Sequence, residues 1–223
     1  MSAARDAILA AVGENLQAAR AEGPAPAAPE GPAPGKPAGL DTAAACRERF
    51  VLMLHTVGAH VYPVADLAGA AHTLERIADA RGGHTVARSD APVLQALAEK
   101  LDASIRLLSP LAPPDELFQA DLGLTAAQHA IAETGTLVLV SDVERNRLAS
   151  LLPPVHVALL RADAILPDLG AALAAVHDAD AGPPRTITFI TGPSRTADIE
   201  LTLVVGVHGP QELHVILLES SCD

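Results

Sequence analysis

Aromatic residues are nearly missing from this sequence. There is no Trp, Tyr62 is the single Tyr, and three Phe complete a set that makes up 2% of 223 residues. A stacking platform for single-stranded nucleic acid needs several exposed aromatic faces, and these residues do not supply one. Cysteine is as scarce. Cys46 and Cys222 lie far apart and form no Cys-x-x-Cys pair, so cysteine builds no iron–sulfur or zinc framework here. Two isolated cysteines fit a reducing cytoplasm, which is the expected location. Long apolar runs are missing too. No stretch of about 18 apolar residues is free of charge, Pro and Gly, so no membrane span is expected. The short apolar run behind Arg5 and Asp6 does not have the layout of a secretory signal. Positive charge is sparse: 15 Lys and Arg stand against 27 Asp and Glu, for a net charge of −12. The nearest approach to a basic run is Arg47 and Arg49, with Glu48 between them. Phosphate backbones repel such a surface, so nucleic acid is not an expected partner. The acidity serves solubility.

What is present is a globular composition, 49% apolar and much of that Ala, with enough length to bury a core. Three segments are expected. Residues 1–21 carry Ile8, Leu9, Val12 and Leu16 at helical spacing, one apolar stripe. Residues 22–39 hold Pro24, Pro26, Pro29, Pro32, Pro34 and Pro37 among Ala and Gly. Proline at every second or third place removes backbone donors and blocks helix, so this is an extended linker. The tethered first helix can dock on its own domain, on a sister subunit in a homo-oligomer, or on another protein. Residues 40–223 form the main domain.

Within that domain the pattern predicts a helix over 41–57 capped by Asp41 or Thr42, and a strand over 59–64. A second helix runs from Asp66 to about Ala80, closed by Gly82 and Gly83. Strands over 84–87 and 105–108 flank a helix over 91–101. Strand and helix alternating at these lengths mark an α/β fold, an open, mostly parallel sheet with helices on both faces. Residues 122–140 change character. They read as strands with antiparallel or irregular pairing near Glu133–Thr136. Residues 155–160 are an unbroken apolar run, as in a strand covered on both faces. A helix starts at Pro167, and strands are expected over 186–191 and 213–218.

Three constellations carry candidate chemistry. The first is the strand 186–191 running into Gly192, Pro193, Ser194, Arg195, Thr196, Asp198 and Glu200. Ligands in open α/β sheets bind beyond the carboxyl ends of strands. Ser194, Arg195 and Thr196, with backbone N–H groups at the start of an expected helix, can hold a small anion. Asp198 and Glu200 complement a helix dipole but oppose a phosphate, and Arg195 can equally pair with an acid and fix the loop. No Walker lysine and no Gly-x-Gly-x-x-Gly are present. The second constellation is Glu133, Thr134, Gly135 and Thr136. There a carboxylate at a sheet bend can act as nucleophile or base, or sit in a plain turn. The third is His208 between Gly206 and Pro210 in a tight turn, a candidate acid–base group or a solvent-exposed histidine. Asn146 and Arg147 are weaker candidates, and His156, inside an apolar strand, reads as a core histidine. His55 and His60 do not share the i, i+4 helix face of a metal site, so no metal is expected.

Four segments, in this order, resemble the lactate utilization protein C family (LutC-like, built on an LUD domain). They are Ala130–Leu139, Leu152–Val157, Gly192–Glu200, and Gly206–Pro210 followed by Leu213–Leu218. The resemblance covers roughly residues 41–218 and is densest after residue 120. It implies a fold similar to the NagB/RpiA/CoA-transferase group. It also implies a bacterial cytoplasmic role in oxidising L-lactate to pyruvate beside iron–sulfur partner proteins. This chain would then hold no cofactor of its own, the clusters residing on the partners. In the CoA-transferase relatives a glutamate is the nucleophile in a similar Glu-x-Gly strand context. Glu133-Thr134-Gly135 resembles that context loosely, and an acyl- or CoA-transferring enzyme, or a related ligase, with Glu133 as nucleophile is the alternative reading.

Overall fold

The structure, a computed structural model, describes residues 2–21, 37–141, 143, 147–177, 184–196, 204–206 and 208–219. The chain divides into two units, Met1–Gly35 and Lys36–Asp223. In the first unit, helix α1 (Ser2–Ala21) forms where the apolar stripe predicted it. Most of the proline-rich linker, 22–36, lies outside the described residues.

The second unit runs α2 (Ala43–Thr56), β1 (His60–Val64), α3 (Leu67–Arg81), β2 (Thr85–Arg88), α4 (Pro92–Ala98), β3 (Arg106–Leu107), α5 (Pro114–Leu117), β4 (Leu122–Ala127), β5 (His129–Ile131), β6 (Thr136–Val140), β7 (Val155–Arg161), β8 (Ile165–Leu166), α6 (Leu169–Val176), β9 (Ile187–Ile190), β10 (Arg195–Thr196), β11 (Val204–Val205) and β12 (Glu212–Leu218). The caps are those the sequence names. Thr42 Oγ1 accepts from the Ala45 N–H at 3.1 Å, and Asp66 Oδ1 from the Gly69 N–H at 2.8 Å. Gly82 ends α3 in the left-handed conformation, at φ 65°, that favours glycine. The helix expected at Pro167 starts two residues later. Asp168 is its N-cap, accepting from the Ala171 N–H, because an aspartate side chain satisfies an orphan N–H that proline cannot.

Six parallel strands form the main sheet in the order β1-β12-β7-β4-β2-β3. Helices α3 and α4 cover one face, packing Leu74, Ile77, Leu94 and Leu97 on Leu122, Val157 and Ile216. Helix α2 covers the other with Phe50 and Leu54, against Leu160, Val215 and Leu217. Burying each such Leu or Ile contributes roughly 1.5–3 kcal/mol, so β7 and β12, buried on both faces, are the centre of the fold. Gly123 of β4 is tied to close packing: a Cβ there would lie 1.7 Å from the Ala149 carbonyl oxygen. The mostly parallel sheet with helices on both faces is as predicted.

Two parts differ from the sequence reading. The 186–191 segment does not join the parallel sheet. Strand β9 is the edge of a second, four-stranded sheet, β8-β5-β6-β9, and pairs antiparallel with β6. The antiparallel pairing expected near Glu133–Thr136 is the β5–β6 hairpin of this same sheet. The second difference follows Ser194. Arg195 and Thr196 do not open the expected helix but pair antiparallel with Val205 and Val204, and residues 197–203 lie outside the described residues. The β-branched Thr and Val residues favour such an extended pair over helix.

Candidate functional site

Two of the three constellations meet. The loop after β9 turns at Gly192, φ 80°, where a Cβ would press within 2.9 Å of the Val57 carbonyl oxygen. Its next residues lie against the His208 turn. The Ser194 N–H donates to the Pro210 carbonyl at 2.8 Å, and the Gly206 N–H donates to the Ser194 carbonyl at 2.9 Å. Gly209 packs tightly on Ser194, since a Cβ there would lie 3.1 Å from Ser194 Cβ. Between these loops lies a cavity of about 220 Å³. Thr191, Gly192, Ser194, His208 and Gly209 line it, with His156 and Leu213 from the main sheet.

His156 is wholly buried and hydrogen-bonded through Nε2 to Thr125 Oγ1 at 2.8 Å. Burial, and next the neighbouring His214, push its pKa down to about 4. It is therefore neutral at physiological pH, the core histidine that its apolar strand indicated. His208 is exposed. The lining thus offers the hydroxyls of Ser150, Ser194, Thr188 and Thr191 and the imidazoles of His156 and His208 among apolar residues. Its position departs from the strand-end rule used on the sequence. His156 and Leu213 are register partners near the amino ends of β7 and β12. The cavity is at the amino edge of the parallel sheet, because β9 runs in the other sheet.

The remaining candidates are distributed differently. Arg195 is not among the residues lining this cavity. Its Nη2 donates to the Val57 carbonyl at 2.6 Å, at the C-terminus of α2, where a cation complements the helix dipole. Thr196 is placed by its backbone pairing with Val204. Asp198, Glu200 and Asn146 lie outside the described residues. Thr136 is buried and joined through Oγ1 to Thr134 and to Thr191, each at 2.7 Å, so it supports the cavity wall from behind. Gly135, φ 69°, packs where a Cβ would reach 2.8 Å from the Leu54 backbone N. Glu133 faces elsewhere, into an open groove of about 680 Å³ beside Glu48, Arg49 and residues 37–40. The residues described around that groove share no member with those around the first cavity.

One cluster went unread in the sequence. The ligating atoms of His60, Glu212 and His214 lie within 4.8 Å of one another. His60 and His214 are register partners in β1 and β12, and Glu212 precedes His214 by two. Alternation along β12 turns this face away from Leu213 and the first cavity. No spacing along the chain signals a pair that only strand pairing brings together.

The LUD domain family model matches residues 47–218. This chain belongs to the LUD domain family. The resemblance that the four motifs carry is thereby shown, and the matched span holds every residue lining the first cavity. Lactate utilization protein C of Halalkalibacterium halodurans is 42% identical over 104 residues, 45% of each chain. Lactate utilization protein C of Geobacillus sp. (strain WCH70) is 42% identical over 107 residues, 47% of this chain and 44% of its own. The LUD chain thus matches just under half the length of these curated relatives. A crystal structure of a DUF162 family protein from Deinococcus radiodurans superposes with a TM-score of 0.56 at 27% identity, covering 79% of this chain and 98% of that one. Among the described residues, no helix of this LUD protein is long and apolar enough to cross a membrane.

Proposed function

We propose that this LUD protein is a cytoplasmic subunit of a bacterial L-lactate utilization system, which oxidises lactate to pyruvate. It contributes no redox centre of its own and acts with iron–sulfur partner proteins. The observation that carries this reading is the joining of two family motifs, Gly192–Ser194 and His208–Pro210, around one cavity. The cavity, about 220 Å³, has room for a three-carbon hydroxy acid. The Ser194 hydroxyl and the His208 imidazole are the donors for its carboxylate. The similarity to proteins named lactate utilization protein C supports the same substrate class.

The alternative, acyl or CoA transfer with Glu133 as nucleophile, requires Glu133, Arg195 and His208 to converge. Glu133 and His208 line separate cavities and Arg195 caps a helix, so this reading has less support.

The test is purification of the tagged chain from lactate-grown cells, with iron and acid-labile sulfide measured in the eluate. Iron–sulfur subunits eluting with it in fixed proportion is the expected result. A chain that elutes alone and free of iron from lactate-grown cells would contradict the partnership.

A further inference from the structure

We infer that His60, Glu212 and His214 form a binding site for a divalent transition metal ion of the zinc type, with an open position facing a second cavity. These residues lie on the opposite face of the main sheet from the cavity at Ser194 and His208.

Parallel register sets His60 beside His214, and alternation sets Glu212 on the same face as His214. Two imidazoles and one carboxylate are the donor set of three-ligand zinc sites that keep a fourth position for water or substrate. Imidazole with carboxylate suits zinc and its neighbours rather than calcium or magnesium.

The supporting shell is also present. A ligating histidine ordinarily gives its other ring nitrogen to a fixed partner. His214, buried to 5% exposure, has Nδ1 at 3.1 Å from Tyr62 Oη, which leaves Nε2 for the ion. That Nε2 faces Glu212 Oε2 at 3.0 Å. The second carboxylate oxygen, Oε1, is held by Arg81, so Glu212 has its orientation fixed on one side and an oxygen presented on the other. Tetrahedral ligands at about 2.0–2.2 Å from zinc stand about 3.4 Å apart. His214 Nε2 and Glu212 Oε2, hydrogen-bonded at 3.0 Å, need separate by only about 0.4 Å to reach this spacing. His60 is exposed and stacks on the His214 ring with centroids 4.8 Å apart. A rotation of this one surface side chain closes the set. The cavity in front, about 260 Å³, is lined also by Thr73, Arg76 and Arg81, so the open position takes water or a small anion.

Full-length protein, stripped with a chelator and dialysed, would be titrated with Zn²⁺ by calorimetry and with Co²⁺ by visible absorption. One equivalent is expected to bind, with His60→Gln weakening affinity by more than about 100-fold, beyond the 10–100-fold of an outer-shell change. Tyr62→Phe, which removes only the outer-shell hydroxyl, is expected to weaken it about tenfold. Ser194→Ala, in the other cavity, is expected to leave affinity unchanged. Circular dichroism of each variant confirms folding, and the exposed position of His60 makes its variant safe in this respect. No stoichiometric binding by the wild-type chain, or binding equal in His60→Gln and wild type, would overturn the site.

Discussion

The backbone N–H of Ser194 donates to the carbonyl of Pro210 at 2.8 Å, and with the Gly206 N–H donating to the Ser194 carbonyl it fastens the loop after β9 to the His208 turn. Gly209 lies inside that junction, where a Cβ would press on Ser194 Cβ at 3.1 Å. Gly209→Val is therefore expected to push Ser194 into the cavity. The fold would lose only about 1–3 kcal/mol, the ordinary cost of overpacking, seen as a shifted urea midpoint. Growth on L-lactate would fail in cells carrying this variant alone.

Arg195 is expected to behave as a helix-end residue. Its guanidinium holds the Val57 carbonyl at an exposed site, and such contacts contribute about 0.3–1 kcal/mol. Arg195→Ala should lower thermal stability slightly and leave lactate growth intact. A variant with an unchanged melting temperature and no lactate growth would assign Arg195 to the ligand instead.

His156 sets a pH dependence of stability. Its folded pKa of about 4 lies below the ordinary 6.5, so the unfolded chain binds the proton more readily. Its contribution is complete above about pH 6.5 and is lost as pH falls from there toward 4. The total is about 3 kcal/mol at about 1.4 kcal/mol per unit. His129 and His214, also lowered chiefly by burial, act with the same sign. Urea denaturation at pH 7 and pH 5 should show the loss, and His156→Gln should flatten the slope without removing it. Equal slopes in both proteins would contradict the assignment.

Local chemistry made much of the fold legible. Thr42, Asp66 and Gly82 announce their caps because capping is decided within four residues. The unbroken apolar run of β7 announces a strand covered on both faces. Partner choice is not local, and there the sequence was silent. Strand β9 has the β-branched composition of a main-sheet strand, but it pairs with β6 in the second sheet. This moves the site from the carboxyl to the amino edge of the parallel sheet. The Gly192 and His208 motifs were readable as turns, and their meeting depends on the backbone bonds of Ser194 with Gly206 and Pro210, which no local pattern signals. The His60–His214 pair was hidden for the same reason: β1 and β12 come from opposite ends of the domain and touch only in register.

The central claim, a role in lactate utilization, is tested most directly by growth. A strain deleted for this chain is expected to grow normally on glucose and to fail on L-lactate as sole carbon source. Growth on L-lactate should return with the wild-type chain but not with one carrying Ser194→Ala and His208→Ala together. Normal growth of the deleted strain on L-lactate would contradict the account.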